Sequence, residues 1–130
     1  MNASKLLLVV DDDASFREIF KTKLEAAGYK VEVAENGDEG VSKAERIKPD
    51  LVLMDMEMPE LSGAGAVIRL HENPETRNIK VAFLTNFGEP KNGLHEADRH
   101  FAKELGAIEY VKKSDDLDST VDRVKELLNL

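Results

Sequence analysis

Three aspartates in two short segments carry the most chemistry in this sequence. Asp11 and Asp12 follow the apolar run Leu6-Leu-Leu-Val-Val10, and Asp55 ends the run Leu51-Val-Leu-Met54. An apolar run that stops abruptly at carboxylates is the pattern of a buried parallel strand delivering acids to the C-terminal edge of a sheet. Open α/β sheets place their ligand sites outside that edge, so two such strands lying side by side bring Asp11, Asp12 and Asp55 together. Clustered carboxylates repel one another and resist desolvation unless a cation neutralises them. The donor set therefore predicts a hard divalent ion, Mg2+, bound through oxygen with open positions for water or a phosphoryl group.

The elements that must position these acids are legible along the chain. Leu6 to Val10 reads as a first strand, and Phe16, Ile19, Phe20, Leu24 and Ala27 then recur at helical spacing before Gly28 as C-cap. Lys30 to Ala34 alternates as a second strand. After Asn36-Gly37 a weaker helix presents Val41, Ala44 and Ile47 on one face until Pro49 stops it. Leu51 to Met54 is the third strand, and Pro59 and Gly63 mark a loop before a third helix around Ala66 to His71, ended by Asn73-Pro74.

A fourth strand over Lys80 to Leu84, a helix over Leu94 to Leu105 capped by Gly106, and a fifth strand over Ile108 to Val111 follow. Leu117, Val121, Val124 and Leu128 give a last helix its apolar stripe. Ser114 is the candidate N-cap, with Asp115, Asp116 and Asp118 near the positive end of the helix dipole. Five strands alternating with five helices predict one α/β domain over residues 1–130, built as a doubly wound parallel sheet.

Composition narrows the function classes. At 130 residues the chain can bury roughly two-thirds of its unfolded surface, so no disulfide or structural metal is needed, and it holds no cysteine. The N-terminal apolar run is too short and too acidic for a signal peptide or a membrane span. A soluble cytoplasmic protein with no membrane partner is expected. Eighteen basic against 26 acidic residues give a net charge of −8, with no basic run, which argues against direct nucleic-acid binding. His71, His95 and His100 lack metal-ligand spacing and read as surface or cap residues.

In order and spacing, the motifs resemble the receiver domain of two-component response regulators over essentially the whole chain. The residues that carry the likeness are Asp11-Asp12 after the first strand, Asp55 at the end of the third, Thr85 after the fourth, and Tyr110 and Lys113 at the fifth. The resemblance implies a CheY-like, flavodoxin-like (βα)5 sheet in strand order 2-1-3-4-5. It implies that Asp55 accepts a phosphoryl group from a phosphohistidine on a sensor histidine kinase or histidine phosphotransfer protein.

Within that likeness Asp12 is the direct Mg2+ ligand, Asp11 acts largely through water, and Asp55 and the backbone carbonyl of Glu57 complete the shell. Asp13 falls to a helix N-cap. Lys113, not Lys112, is the lysine that meets the phosphoryl group, and Thr85 and Tyr110 are the switch pair. The implied role is a phosphoacceptor signalling domain, not an enzyme, that catalyses only its own phosphotransfer and dephosphorylation. A downstream protein partner is implied too, with homodimerisation through the helix over Leu94 to Leu105, the fifth strand and the last helix.

The chemistry requires these residue types. An aspartate attacking an anionic phosphoryl group needs cations to offset charge in nucleophile and substrate, and Mg2+ and Lys113 supply them. Thr85 can bond a third phosphoryl oxygen only after transfer, which lets Tyr110 repack inward.

The sequence also departs from the family pattern. Ser114 replaces the usual proline after the lysine, where the family's bond is typically cis. Asn86 replaces a small residue, and Glu57 adds a carboxylate beside the metal, so Glu57 and Asn86 are expected to tune phosphoryl lifetime. Thr85 to Lys113 spans 113 − 85 = 28 residues, with a surplus near Phe87-Gly-Glu-Pro-Lys-Asn-Gly93 that reads as a surface insertion or a partner-specific lid. Two other functions fit in part: a pseudo-receiver scaffold that is never phosphorylated, and a haloacid-dehalogenase-type phosphohydrolase. The second expects an aspartate where this chain has Glu57.

Overall fold

In the computed structural model, which describes residues 4–85, 107, 109–113 and 116–129, five parallel strands form one sheet. The elements in chain order are β1 (Leu6–Val10), α1 (Ala14–Ala26), β2 (Lys30–Ala34), α2 (Gly37–Ile47), β3 (Leu51–Asp55), α3 (Gly63–Glu72), β4 (Lys80–Thr85), β5 (Glu109–Lys112) and α4 (Leu117–Leu128). The strand order is β2-β1-β3-β4-β5, as the resemblance implies. The helix expected over Leu94 to Leu105, the surplus near Phe87 to Gly93, and Asn86, His95, His100 and Ser114 lie outside the described residues.

The apolar runs are continuous because the central strands are buried on both faces. Leu8, Val10, Val52, Met54, Val81 and Phe83 point to one side, where Val41 and Ala44 of α2 and Ala66, Val67 and Leu70 of α3 cover them. Leu7, Val9, Leu51, Leu53, Ala82 and Leu84 point to the other, under Phe20 and Leu24 of α1 and Val121, Val124 and Leu127 of α4. Side chains alternate across a strand, so a doubly covered strand must be apolar at every position. Met54, Met56 and Met58 all belong to the first layer, and packing accounts for them.

Several boundaries differ from the sequence reading for identifiable reasons. Ile19, placed on the apolar stripe of α1, is 53% exposed, because Phe20 and Leu24 take the sheet-facing positions and Ile19 is turned away from them. The N-cap of α4 is Asp116, not Ser114: its carboxylate accepts from the Asp118 amide at 3.1 Å. A carboxylate there also complements the helix dipole. Gly63 opens α3 instead of sitting in the loop, since Ser62 caps the helix by accepting from the Gly65 amide at 3.1 Å. The residue left half in at the end of α1 is Ala27, and Gly28 beyond it takes φ +102°, a conformation that costs glycine little.

Candidate functional site

The register of the sheet assembles the site. Val10 pairs with Met54 across β1 and β3, so Asp11 and Asp12, just past β1, face Asp55 at the end of β3. Oxygens of Asp11, Asp12 and Asp55 all lie within 4.8 Å of one another. Asp11 is fully buried and Asp55 is 4% exposed, whereas Asp12 is exposed at the mouth.

Asp11 is fixed from several directions. Its amide donates to the Ala34 carbonyl at 3.1 Å, which carries the β1–β2 ladder one residue further. Its Oδ1 accepts from the Asp13 amide at 2.9 Å, and its carbonyl accepts from Arg17 Nη1 at 2.6 Å. Asp13 in turn caps α1 by accepting from the Phe16 amide at 3.2 Å, the role read for it in the sequence. These bonds make the β1–α1 turn a rigid platform for the acid pair.

Lys113 reaches the same place from the opposite edge. Its amide donates to the Thr85 carbonyl at 2.7 Å, extending the β4–β5 ladder past Lys112. Its ammonium lies 2.5 Å from Asp11 Oδ2 and 3.6 Å from Asp55 Oδ1, with the side chain only 9% exposed. Lys112, the alternative, is exposed.

Charge in the site does not balance among its own residues. Among the described residues three carboxylates converge there on one ammonium, with the Arg17 guanidinium held on the Asp11 carbonyl, so the acids outnumber the cations. The Asp55 carboxyl is pushed up to about 6, first by burial and next by the charge of Asp11, against the downward pull of Lys113 and of the Glu57 amide that donates to Asp55 Oδ1 at 3.3 Å. Asp11 Oδ2 is fully buried and meets the Lys113 ammonium at 2.5 Å. Three carboxylates within 4.8 Å of one another, two of them buried and one with its ionisation opposed, suit a divalent cation. The residues therefore fit Mg2+ with Asp11, Asp12 and Asp55 as its carboxylates.

Glu57 is exposed, two residues beyond Asp55. Thr85 is half-buried at the end of β4, one residue past the pairing of Asp55 with Leu84. Tyr110 pairs with Phe83 in register and packs on it with ring centroids 5.5 Å apart. His71 is exposed, and its carbonyl accepts from Arg77 Nε at 3.1 Å near the end of α3.

Two residues of this site were not singled out from sequence. Arg17 holds the Asp11 carbonyl, and the ring of Phe16 lies under Lys113 with its centroid 4.5 Å from the ammonium. Both sit in the first turn of α1, where the sequence pattern shows only a half-apolar helix start.

Many known proteins resemble this chain in sequence and in fold. The sequence profile of the response regulator receiver domain matches residues 7–125. The protein PilH of Pseudomonas aeruginosa is 34% identical over 94% of this chain and 96% of its own length. The DNA-binding dual master transcriptional regulator RpaA of Synechocystis sp. is 31% identical over 94% of this chain but 48% of its own length. The chain thus spans about half the length of several curated relatives it matches. Among solved structures, a putative response regulator from Chloroflexus aurantiacus superposes with a TM-score of 0.83 at 28% identity, covering 98% of this chain and 100% of the other. The Vibrio cholerae chemotaxis protein CheY4 superposes at 0.82 with 25% identity, covering 95% and 98%.

Proposed function

The chain belongs to the receiver domain family of two-component response regulators, and from that premise we propose that Asp55 accepts a phosphoryl group from a phosphohistidine on a histidine kinase or phosphotransfer protein. The observation that carries this reading is the convergence of Asp11, Asp12 and Asp55 within 4.8 Å, with Lys113 Nζ against two of them. In-line attack by an Asp55 oxygen on phosphorus forms an acyl phosphate while the P–N bond breaks, the electron pair leaving on the imidazole nitrogen. Asp11, Asp12, Asp55 and the Glu57 carbonyl are the groups to hold Mg2+, which when bound supplies charge neutralisation at the phosphoryl oxygens. Lys113 directs its ammonium to a second phosphoryl oxygen and leaves Asp11 to do so.

Thr85 then carries the signal. Its backbone anchors Lys113 and its strand pairs with β5, so a bond from its hydroxyl to the new phosphoryl group moves the β4–β5 edge on which Tyr110 packs. The exposed Glu57 carboxylate and Asn86 tune hydrolysis of the acyl phosphate by steering the attacking water. Output is by protein contact: RpaA is described as DNA-binding, but 26 acidic against 18 basic residues oppose such contact through this chain. Self-association would draw on residues 94–105, which lie outside the described residues, together with β5 and α4.

Intact-mass measurement after incubation with acetyl phosphate tests the reading. A Mg2+-dependent gain of one phosphoryl mass, absent in Asp55→Asn, supports it. No gain under conditions that label an ordinary receiver turns the reading to an unphosphorylated scaffold.

A further inference from the structure

Lys113 does not meet the carboxylates from open solvent. Its ammonium is enclosed between Asp11 Oδ2, Asp55 Oδ1 and the face of Phe16, whose centroid is 4.5 Å away. We propose that Phe16 is a positioning residue for Lys113, its ring holding the ammonium over the site so that the lysine can turn from Asp11 to an incoming phosphoryl oxygen without leaving. This rests on the reading of Asp55 as the phosphoacceptor.

The ring is well placed to act as a fixed surface. Phe16 lies in the first turn of α1, one helical turn before the fully buried Phe20, and the two rings pack with centroids 5.2 Å apart. An aromatic face attracts a cation through its quadrupole and takes none of the three N–H donors of lysine. A carboxylate in the same place would bind the ammonium and compete with the phosphoryl group. An aliphatic side chain would leave that side of a buried charge without any compensating partner. Phe16 therefore holds Lys113 in position while its hydrogen bonds stay available for anionic oxygen.

The test uses the full chain with Phe16 replaced by phenylalanine bearing one, two or three ring fluorines, and separately by leucine and tryptophan. Fluorination drains the ring face at nearly constant shape, so a loss across that series reflects electrostatics and not misfolding. In the metal-free protein, the Lys113 Hε resonances are expected upfield of ordinary lysine values, and Phe16→Leu removes that displacement. The rate of Asp55 labelling by acetyl phosphate at saturating Mg2+ is expected to fall stepwise, to roughly 3- to 10-fold below the natural chain for the trifluoro and leucine variants. Phe16→Trp, which restores the ring face, keeps the rate within about twofold. A rate that stays flat across the fluorinated series, or a Lys113 Hε at the ordinary position in the natural chain, overturns the proposal. A ring-shifted Lys113 in a natural chain that takes no phosphate overturns the reading of Asp55, and with it any transfer role for Phe16, while leaving the ring contact standing.

Discussion

Lys113 stands closer to Asp11 than to Asp55: its ammonium is 2.5 Å from Asp11 Oδ2 and 3.6 Å from Asp55 Oδ1. The ion pair between the end of β5 and the end of β1 spans the mouth of the site and is nearly dry. Breaking a buried pair from one side strands the other charge, which typically costs about 3–5 kcal/mol. Lys113→Ala should therefore lower stability by that order in metal-free buffer. Mg2+, replacing the lost positive charge, should recover part of it. Urea unfolding of both chains with EDTA and with Mg2+ measures this, and equal midpoints in EDTA would show that the pair contributes nothing.

The raised Asp55 carboxyl has a consequence for stability against pH. Its native value of about 6 lies above the ordinary 3.8 of an aspartate, so the folded state binds this proton more tightly than the unfolded state does. The resulting stability is fully present below about pH 4 and is lost as pH rises through about 6. Above that window the ionised Asp55 is a burden, and Asp55→Asn should stabilise the metal-free protein at pH 7.5 by roughly 1–3 kcal/mol. The gain should vanish near pH 4 and shrink in Mg2+, where asparagine is the poorer ligand. Denaturant midpoints of the two chains across this range check the sign.

How much of the site the sequence disclosed follows from where each contact originates. Asp11, Asp12 and Asp55 were legible because each ends an apolar run, and a doubly buried parallel strand leaves no other position for a charge. The spacing past Tyr110 singles out Lys113, and in the fold its amide extends the β4–β5 ladder by bonding the Thr85 carbonyl. Phe16 and Arg17 were not legible, because their partners are a lysine on the far edge strand and a backbone carbonyl, neither of which leaves a mark on the spacing within α1. The misassigned Ile19 shows the complementary weakness: the i, i+3, i+4 rule fixes a stripe but not its edges. Likewise the run Ser114-Asp115-Asp116 offers three residues suited to capping, and only where α4 begins in the fold selects Asp116.

The turn after β3 stores backbone strain at Glu60, whose φ is +67°. A residue with a Cβ pays roughly 1–2 kcal/mol in that region, offset in part by the extra unfolded-state freedom glycine would bring. Glu60→Gly should stabilise the protein by about 0.5–1 kcal/mol. The exposed side chain makes burial changes a small factor. Glu60→Val should move stability the other way, and thermal midpoints of the three chains decide the matter.

Gly63 ties the segment carrying Asp55 to α3 through a hydrogen bond and a close backbone approach. Its amide donates to the Met56 carbonyl at 3.1 Å, and a Cβ built on it would run into the Asp55 carbonyl oxygen and, at 2.8 Å, the Met56 Cα. Those neighbours are backbone and cannot turn aside, so Gly63→Ala must displace either the start of α3 or the segment that aims Asp55. Overpacking of this kind costs about 1–3 kcal/mol. Because Asp55 lies in the displaced segment, labelling by acetyl phosphate should fall well beyond what the lost stability explains at a temperature where the variant is still folded. Gly65→Ala is the control: its Cβ would press on Leu61 Cδ1 at 2.8 Å, the far end of a side chain that can rotate away, and would meet Ser62 Oγ only at an ordinary contact distance of 3.4 Å. If Gly63→Ala labels at the rate of Gly65→Ala, the geometry of Asp55 does not depend on the close approach of α3.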